Sequence, residues 1–346
     1  MTPRTGELRT EFAAWLRQRR DGLTTGRRHD CEAALGLDDG CLAAFAEAPR
    51  VVATLPHASP NVFFPRAAVG WYARHLQRCD PTLFHLRVVL THTNFSDLGW
   101  RPYAWWFLNP DRELVRHTLF TRNKKTKHVV VASQPPMDLV PGDATGADRE
   151  AAELALHGAN RAMSYLLLTA TVERAAGLAL PGRTLYVPLD ALVRFALSEA
   201  TGRWAPWISA LLTTSTATRT LLPDGTLAPA RRAEDAFVLD NPTNIALLAL
   251  LSSVDIIGGA KMADYWAQIT RRIDFACRTA ALDVRPPHFR QLPEVDTRGL
   301  VAPAPSLAAS LRTAGIGYSQ GMALSEHGAF GDGVSPFAQE VSGATR

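Results

Sequence analysis

Two short runs of β-branched and aliphatic residues, RVVATL at 50–55 and LFHLRVVLTH at 83–92, flank a helix-length segment, and this triplet constrains the fold most. Runs this short and this apolar suit strands buried on both faces. Between them PHASPN supplies prolines and an asparagine able to cap a helix,. VFFPRAAVGWYARHLQRC is the helix it starts, with Pro65 in or near the first turn,. Strand, turn, helix, strand is a βαβ unit, whose usual solution is a parallel sheet with right-handed crossovers. Further on, AFVLDNPTN and LLALLSSVDIIGG (236–244 and 247–259) return the chain to the sheet layer.

The remaining chain fits around that frame. Leu8, Phe12, Trp15 and Leu16 recur at helical spacing, TTGRRHD breaks the helix, and CLAAFAEA forms a second one,. TNFSDLGWRPYAWWFLNP crowds aromatics and prolines into a loop or lid, and TRNKKTKHVVVAS is a basic loop running into a third strand. After the linker-like PPMDLVPGDATGAD, residues 149–177 read as a long helix or a helical pair, and TLYVPLDALVRFALSEATG as a short extended piece and a helix. Asp224-Gly225 signals a hairpin,. The expected fold class is α/β, a Rossmann-like parallel sheet core with inserted helical segments. Its expected parts are an N-terminal helical segment (1–48), a first half-core (49–140), a helical insertion (141–235), a second half-core (236–300) and an irregular tail rich in Gly, Ala, Ser and Pro (301–346).

Bulk properties exclude several classes. The 346 residues are 47% hydrophobic and 20% charged, as in an ordinary globular protein able to bury a real core,. A net charge of +4 is too small to argue for nucleic acid by itself,. The four cysteines lie far apart with no C-x-x-C pair, so neither a metal site nor a disulfide framework is expected, and a reducing cytoplasm fits,. The first residues carry no apolar signal core, and no apolar run is long enough for a membrane span,.

Four stretches could carry chemistry. In ATLPHASPN, a strand running into a helix N-terminus presents free N–H groups, with His57, Ser59 and Asn61 as added donors for a phosphate or carboxylate,. Class I aminoacyl-tRNA synthetases place a histidine motif at this point, of which one histidine is present here. In THTNFSD, His92, Asn94 and Asp97 offer a base, a neutral hydrogen bonder and a carboxylate beyond the next strand,; an Asx-type turn accounts for the same letters. In RNKKTKH, Lys124 and Lys125 could neutralise phosphate charge, as lysine loops do in those synthetases, or form a solvated face,. In VDIIGGAKMADYWAQITRR, Gly258 and Gly259 bare the backbone where a strand meets a ligand or a helix,. Ala263, Trp266, Ala267 and Thr270 then share one helical face, with Tyr265 and Gln268 off it and Lys261 near the start.

This last stretch resembles the bacillithiol-pathway cysteine ligase family, in which an apolar strand, a Gly-Gly pair and a Tyr-Trp-Ala-Gln helix occur in the same order. The matching residues are Gly258, Gly259, Tyr265, Trp266, Ala267 and Gln268. The close match covers about 16 residues; a looser order of elements extends over residues 50–280, with LTHTNFSD similar to the family's polar cluster before a phenylalanine, here Phe95. The chain departs where Met262 replaces a glutamate, where His92, Thr93 and Asn94 replace an acidic cluster, and where Leu55-Pro56-His57 replaces a glutamine-rich turn.

The resemblance implies a Rossmann-like core similar to class I synthetases. It also implies an enzyme that condenses or transfers an amino-acid-type acyl group to a small amine in specialised biosynthesis. Its partners would be small-molecule amino acid and amine substrates, with ATP or another nucleotide as cofactor and no metal. His57, Ser59, Asn61 and Gly258-Gly259 would hold the acid and any phosphate. Tyr265, Trp266 and Gln268 would contact substrate, and His92 or Asp97, beside Asn94, would take the amine's proton. Lys124, Lys125 or Lys261 would balance a leaving phosphate. Two other readings stay open: a nucleotidyl or aminoacyl transferase drawing on an activated donor such as aminoacyl-tRNA, and a non-catalytic binding protein on the same fold, favoured by Met262 and Asn94.

Overall fold

The computed structural model describes residues 7–18, 23–24, 26–54, 67–89, 93–95, 104–111, 113–119, 128–130, 134–198, 204–224, 226–232 and 235–293. Three helices come first, α1 (Glu7–Gln18), α2 (Arg28–Leu35) and α3 (Asp39–Glu47). α2 stops at Gly36, whose φ of 72° lets Leu37 N–H reach back to the Glu32 carbonyl at 2.8 Å,. A Cβ at Gly36 would also lie 2.3 Å from the Thr184 carbonyl oxygen, so glycine is required there twice over. Asp38 caps α3, its carboxylate accepting from Cys41 N–H at 2.9 Å,. Then β1 (Arg50–Thr54), α4 (Ala67–Cys79) and β2 (Leu83–Val89) form the βαβ unit that the sequence announces.

Two antiparallel ribbons follow: β3 (Thr93–Phe95) pairs with β6 (His128–Val130), and β4 (Ala104–Leu108) with β5 (Leu114–Thr118). The helical pair α5 (Gly146–Ala155) and α6 (Arg161–Ala175) packs together across Gly158, where a Cβ would meet Ser164 N at 2.3 Å. β7 (Thr184–Pro188), α7 (Leu189–Ser198) and α8 (Trp204–Thr213) lead to the hairpin β8 (Arg219–Leu221) and β9 (Leu227–Pro229). Asp224 sets its turn by accepting from Thr226 N–H at 2.9 Å,. α9 (Asn241–Ala246), capped by Asp240, and a 3-10 turn (Leu247–Leu251) precede β10 (Val254–Gly258), α10 (Ala260–Ala280) and β11 (His288–Gln291). Among the described residues no helix is long and apolar enough to cross a membrane.

The main sheet runs β11-β10-β1-β2-β7, and every neighbouring pair is parallel. Counting only these five strands in chain order and reading from the β7 edge, the arrangement is third, second, first, fourth, fifth: the doubly wound, Rossmann-like order,. α4 lies on one face, where Val52, Ala73, Leu83 and Ile257 make a small apolar cluster. The other face, with Val51, Ala53, Phe84, Leu86 and Ile256, enters the main core, and α10 packs there through Ile269, Ile273 and Ala276.

Several expectations are corrected. The strand expected in TRNKKTKHVVVAS does form, but as β6 it pairs with β3 in a ribbon outside the main sheet. LLALL is a fully buried 3-10 turn, an apolar run whose letters do not distinguish buried helix from buried strand,. AFVLDNPTN contributes an isolated bridge, Arg219 with Val238, and no strand of the sheet. TLYVP, placed within an expected helical insertion, is β7, an edge strand of the parallel sheet. The break at TTGRRHD gives way to α2 from Arg28. On α10, Ala263 and Ala267 are exposed and the buried line runs through Ile269, Ile273 and Ala276.

Candidate functional site at the carboxyl edge of the sheet

All five strands point the same way, so Thr54, Val89, Pro188, Gly258 and Gln291 end at one edge. From β1 the chain crosses to α4 on one face; from β10 it turns into α10 on the other. β1 and β10 are neighbours, with Thr54 opposite Ile257. Connections that part to opposite faces between adjacent parallel strands leave a crevice at their carboxyl ends, where open α/β sheets bind ligands.

The two glycines beyond β10 differ in what they meet. A Cβ on Gly258 would lie 2.7 Å from Met262 Cβ and 3.1 Å from Phe289 Cε2, so this residue is bare to let α10 close against the strand end. A Cβ on Gly259 would meet nothing within 4 Å among the described residues. Gly259 is the N-cap of α10 at φ −75° and ψ 179°, a geometry open to any residue, and no side chain caps the helix. Among the described residues, the first turn of this 21-residue helix therefore has no side-chain cap, its Met262 N–H turning back to the Gly259 carbonyl at 2.8 Å, and its end carries the positive pole of the helix dipole,.

Beneath the crevice lies a polar pair that the sequence reading passed over. Thr54 Oγ1 and His85 Nε2 are 2.7 Å apart, and both residues are buried. Burial first, then the charges of Arg87 and Arg174, press the His85 pKa down to about 3, so the ring is neutral. One step along β2, Arg87 grips Glu173 of α6 with hydrogen bonds of 2.9–3.2 Å. Burial alone would lower the Arg87 pKa, but the Glu173 charge and hydrogen bonds outweigh it and raise it. Tyr186, opposite Arg87 on β7, is buried too; burial and then the Glu173 charge push its phenol well above the usual range, and it stays protonated. The signal for this network was the alternation of His85 and Arg87 with apolar residues in LFHLRVV: polar groups at period two inside a strand buried throughout.

The nominated residues fall into two groups. His57, Ser59, Asn61, His92, Asp97, Lys124 and Lys125 lie outside the described residues. The ends of the strands that lead to the first four do share the edge with Gly258, β1 ending at Thr54 and β2 at Val89, whereas Asp97 follows β3 of the separate ribbon. Asn94 lies on β3, its backbone opposite Val129, and Phe95 stands opposite His128. THTNFSD and RNKKTKH, nominated separately, are thus joined by strand pairing. Lys261 belongs to the first turn of α10. Tyr265 is 45% exposed and Gln268 is exposed, free to meet a ligand or solvent. Trp266 stacks on Phe289 with centroids 5.2 Å apart, which accounts for the ring by packing alone.

Compared with models of known protein families and with curated proteins, the chain matches none. Among the described residues no cluster of three His, Cys, Asp or Glu side chains is arranged to hold a metal ion. The carboxyl edge thus brings a helix N-terminus without a side-chain cap, among the described residues, beside a strand end that contacts a buried, neutral histidine.

Proposed function

We propose that this chain is an enzyme of ligase or acyl-transfer type that forms a C–N bond between an amino-acid-type acyl group and a small amine, using ATP or another nucleotide. The observation that carries the reading is the uncapped N-terminus of α10, behind the bare Gly259, at the point where the sheet order reverses. The N–H groups there suit a carboxylate or phosphate, and a methyl group added at Gly259 meets no described atom within 4 Å,. The reaction class rests on the resemblance of residues 254–269 to the cysteine ligase family. In this reading His92 or Asp97 accepts the proton of the attacking amine, and Lys124, Lys125 or Lys261 offsets charge on the departing group.

Gly259→Asp tests it. The backbone geometry admits the side chain, no described atom lies within 4 Å of its Cβ, and aspartate is a preferred N-cap, so basal stability rises by a few tenths of a kcal/mol,. The same carboxylate occupies the N–H groups and repels an anion. Thermal unfolding is measured with ATP, amino acids and an aminoacyl donor. A ligand at a hundred times its Kd stabilises the native protein by about 2.7 kcal/mol and leaves the variant unaffected. No shift with any of the three, or a shift that survives in the variant, removes the site from the carboxyl edge.

A further inference from the structure

A pocket of about 490 Å³ opens at the other, amino edge of the sheet, where β1, β10 and β11 begin. Four steps along β10, from Val254 to Gly258, separate it from the carboxyl edge by about 13 Å, so it is distinct from the site proposed above. One wall is apolar and stiff, built by Pro49, Leu248, Pro286 and Pro287. The lining also includes polar groups: Arg50, Arg285, His288 and the pair Ser252-Ser253.

The charge there is unbalanced. Asp255 is the only acidic group among the described lining residues, and it is engaged twice, by Arg50 at 3.1 Å and by Arg290 at 2.6 Å. Arg50 also reaches Asp80 at 3.5 Å. Arg285 is exposed and makes no ion pair or hydrogen bond among the described residues.

The backbone at the same place is strained. Ser252 and Ser253 both have positive φ, 48° and 50°, and Ser252 with ψ near 151° is in a region that glycine alone enters freely,. Glycine would remove the strain; what serine adds is a hydroxyl at the pocket. Strain retained in a concave site beside an uncompensated cation points to a ligand rather than to packing.

We propose that this pocket binds a small anionic molecule with an apolar body, its phosphate or carboxylate held by Arg285 and the serine hydroxyls and its apolar part against the proline wall. Phenyl phosphate is the probe, with inorganic phosphate and benzylamine beside it, each titrated into the whole chain by calorimetry. Phenyl phosphate binds more tightly than inorganic phosphate, and benzylamine does not bind. Arg285→Glu, an exposed change, leaves thermal unfolding in place and weakens phenyl phosphate by about tenfold or more. Ser253→Gly relieves the positive φ, so it raises the unfolding temperature while lowering affinity. The titrations are repeated in Gly259→Asp, which removes any phosphate held at the carboxyl edge, so that the component dependent on Arg285 is read alone. Absence of phenyl phosphate binding overturns the proposal. So does binding in the Gly259→Asp background that persists when Arg285→Glu is added, whereas binding abolished by Gly259→Asp alone overturns this pocket and supports the carboxyl edge instead.

Discussion

Gly258 and Gly259 are identical letters under opposite demands. Adding one methyl to Gly258 drives it into Met262 and Phe289. Gly258→Ala therefore loses about 1–3 kcal/mol, while Gly259→Ala stays within about 0.5 kcal/mol of the native protein; urea unfolding of the two variants measures both. His85 makes a second single-residue prediction. Its pKa of about 3 in the fold lies below the ordinary 6.5, so acid protonates the unfolded chain first. The stability tied to the neutral ring is complete above about pH 6.5 and drains away as pH falls toward 3, at up to roughly 1.4 kcal/mol per pH unit. His85→Asn, which keeps a partner for Thr54 and does not titrate, flattens the profile in that window. An unchanged acid profile in this variant would show that another group sets it. Asp240 acts lower: burial alone would raise its pKa, but Arg272 and backbone donors hold it near 2, so its contribution is lost only between about pH 4 and 2.

At the scale of elements, the Arg87–Glu173 bridge ties β2 to α6, with both side chains buried. Taking away one partner strands a charge. Glu173→Ala loses about 3–5 kcal/mol, whereas Arg87→Met with Glu173→Leu comes out near neutral, and a double-mutant cycle in urea distinguishes the two results. The same elements show what the letters could and could not say. β1, α4 and β2 were legible because strand-length apolar runs bracket a helix-length segment with a turn before it. The α5–α6 pair and the hairpin at Asp224 were legible for equally local reasons. β11 was not: HFRQ is short and half exposed and lacks the β-branched run that marks a buried strand. β7 was misfiled because TLYVP is brief and surrounded by helices, and its place beside β2 is a pairing across a hundred residues that no local pattern records. At the candidate site, the strand ends and Gly259 were readable from VDIIGG. The Thr54–His85 contact was not, because it depends on the register of two strands.

Among the described residues one main core crosses the divisions drawn along the chain. Phe12 and Trp15 of α1 contact Phe195 of α7 at ring-centroid distances of 4.9 and 6.0 Å, and Phe45 of α3 meets Phe84 of β2 at 5.4 Å. The main cluster of buried side chains takes in Leu8 at one extreme and Val284 at the other, with Leu185 and Trp207 from the segment 141–235. That segment also supplies β7, so removing it would bare the edge of β2 and part of the main core together. Two consequences follow from burial shared in this way. Urea unfolding is one transition, with tryptophan fluorescence and far-ultraviolet circular dichroism superimposing on a single curve. A fragment of residues 141–235 made alone does not fold, because the partners of its apolar faces lie on β2, α1 and α10. Separated transitions, or an isolated fragment with dispersed amide resonances, would show that the helical part is an independent unit, and the core described here would then be two cores in contact.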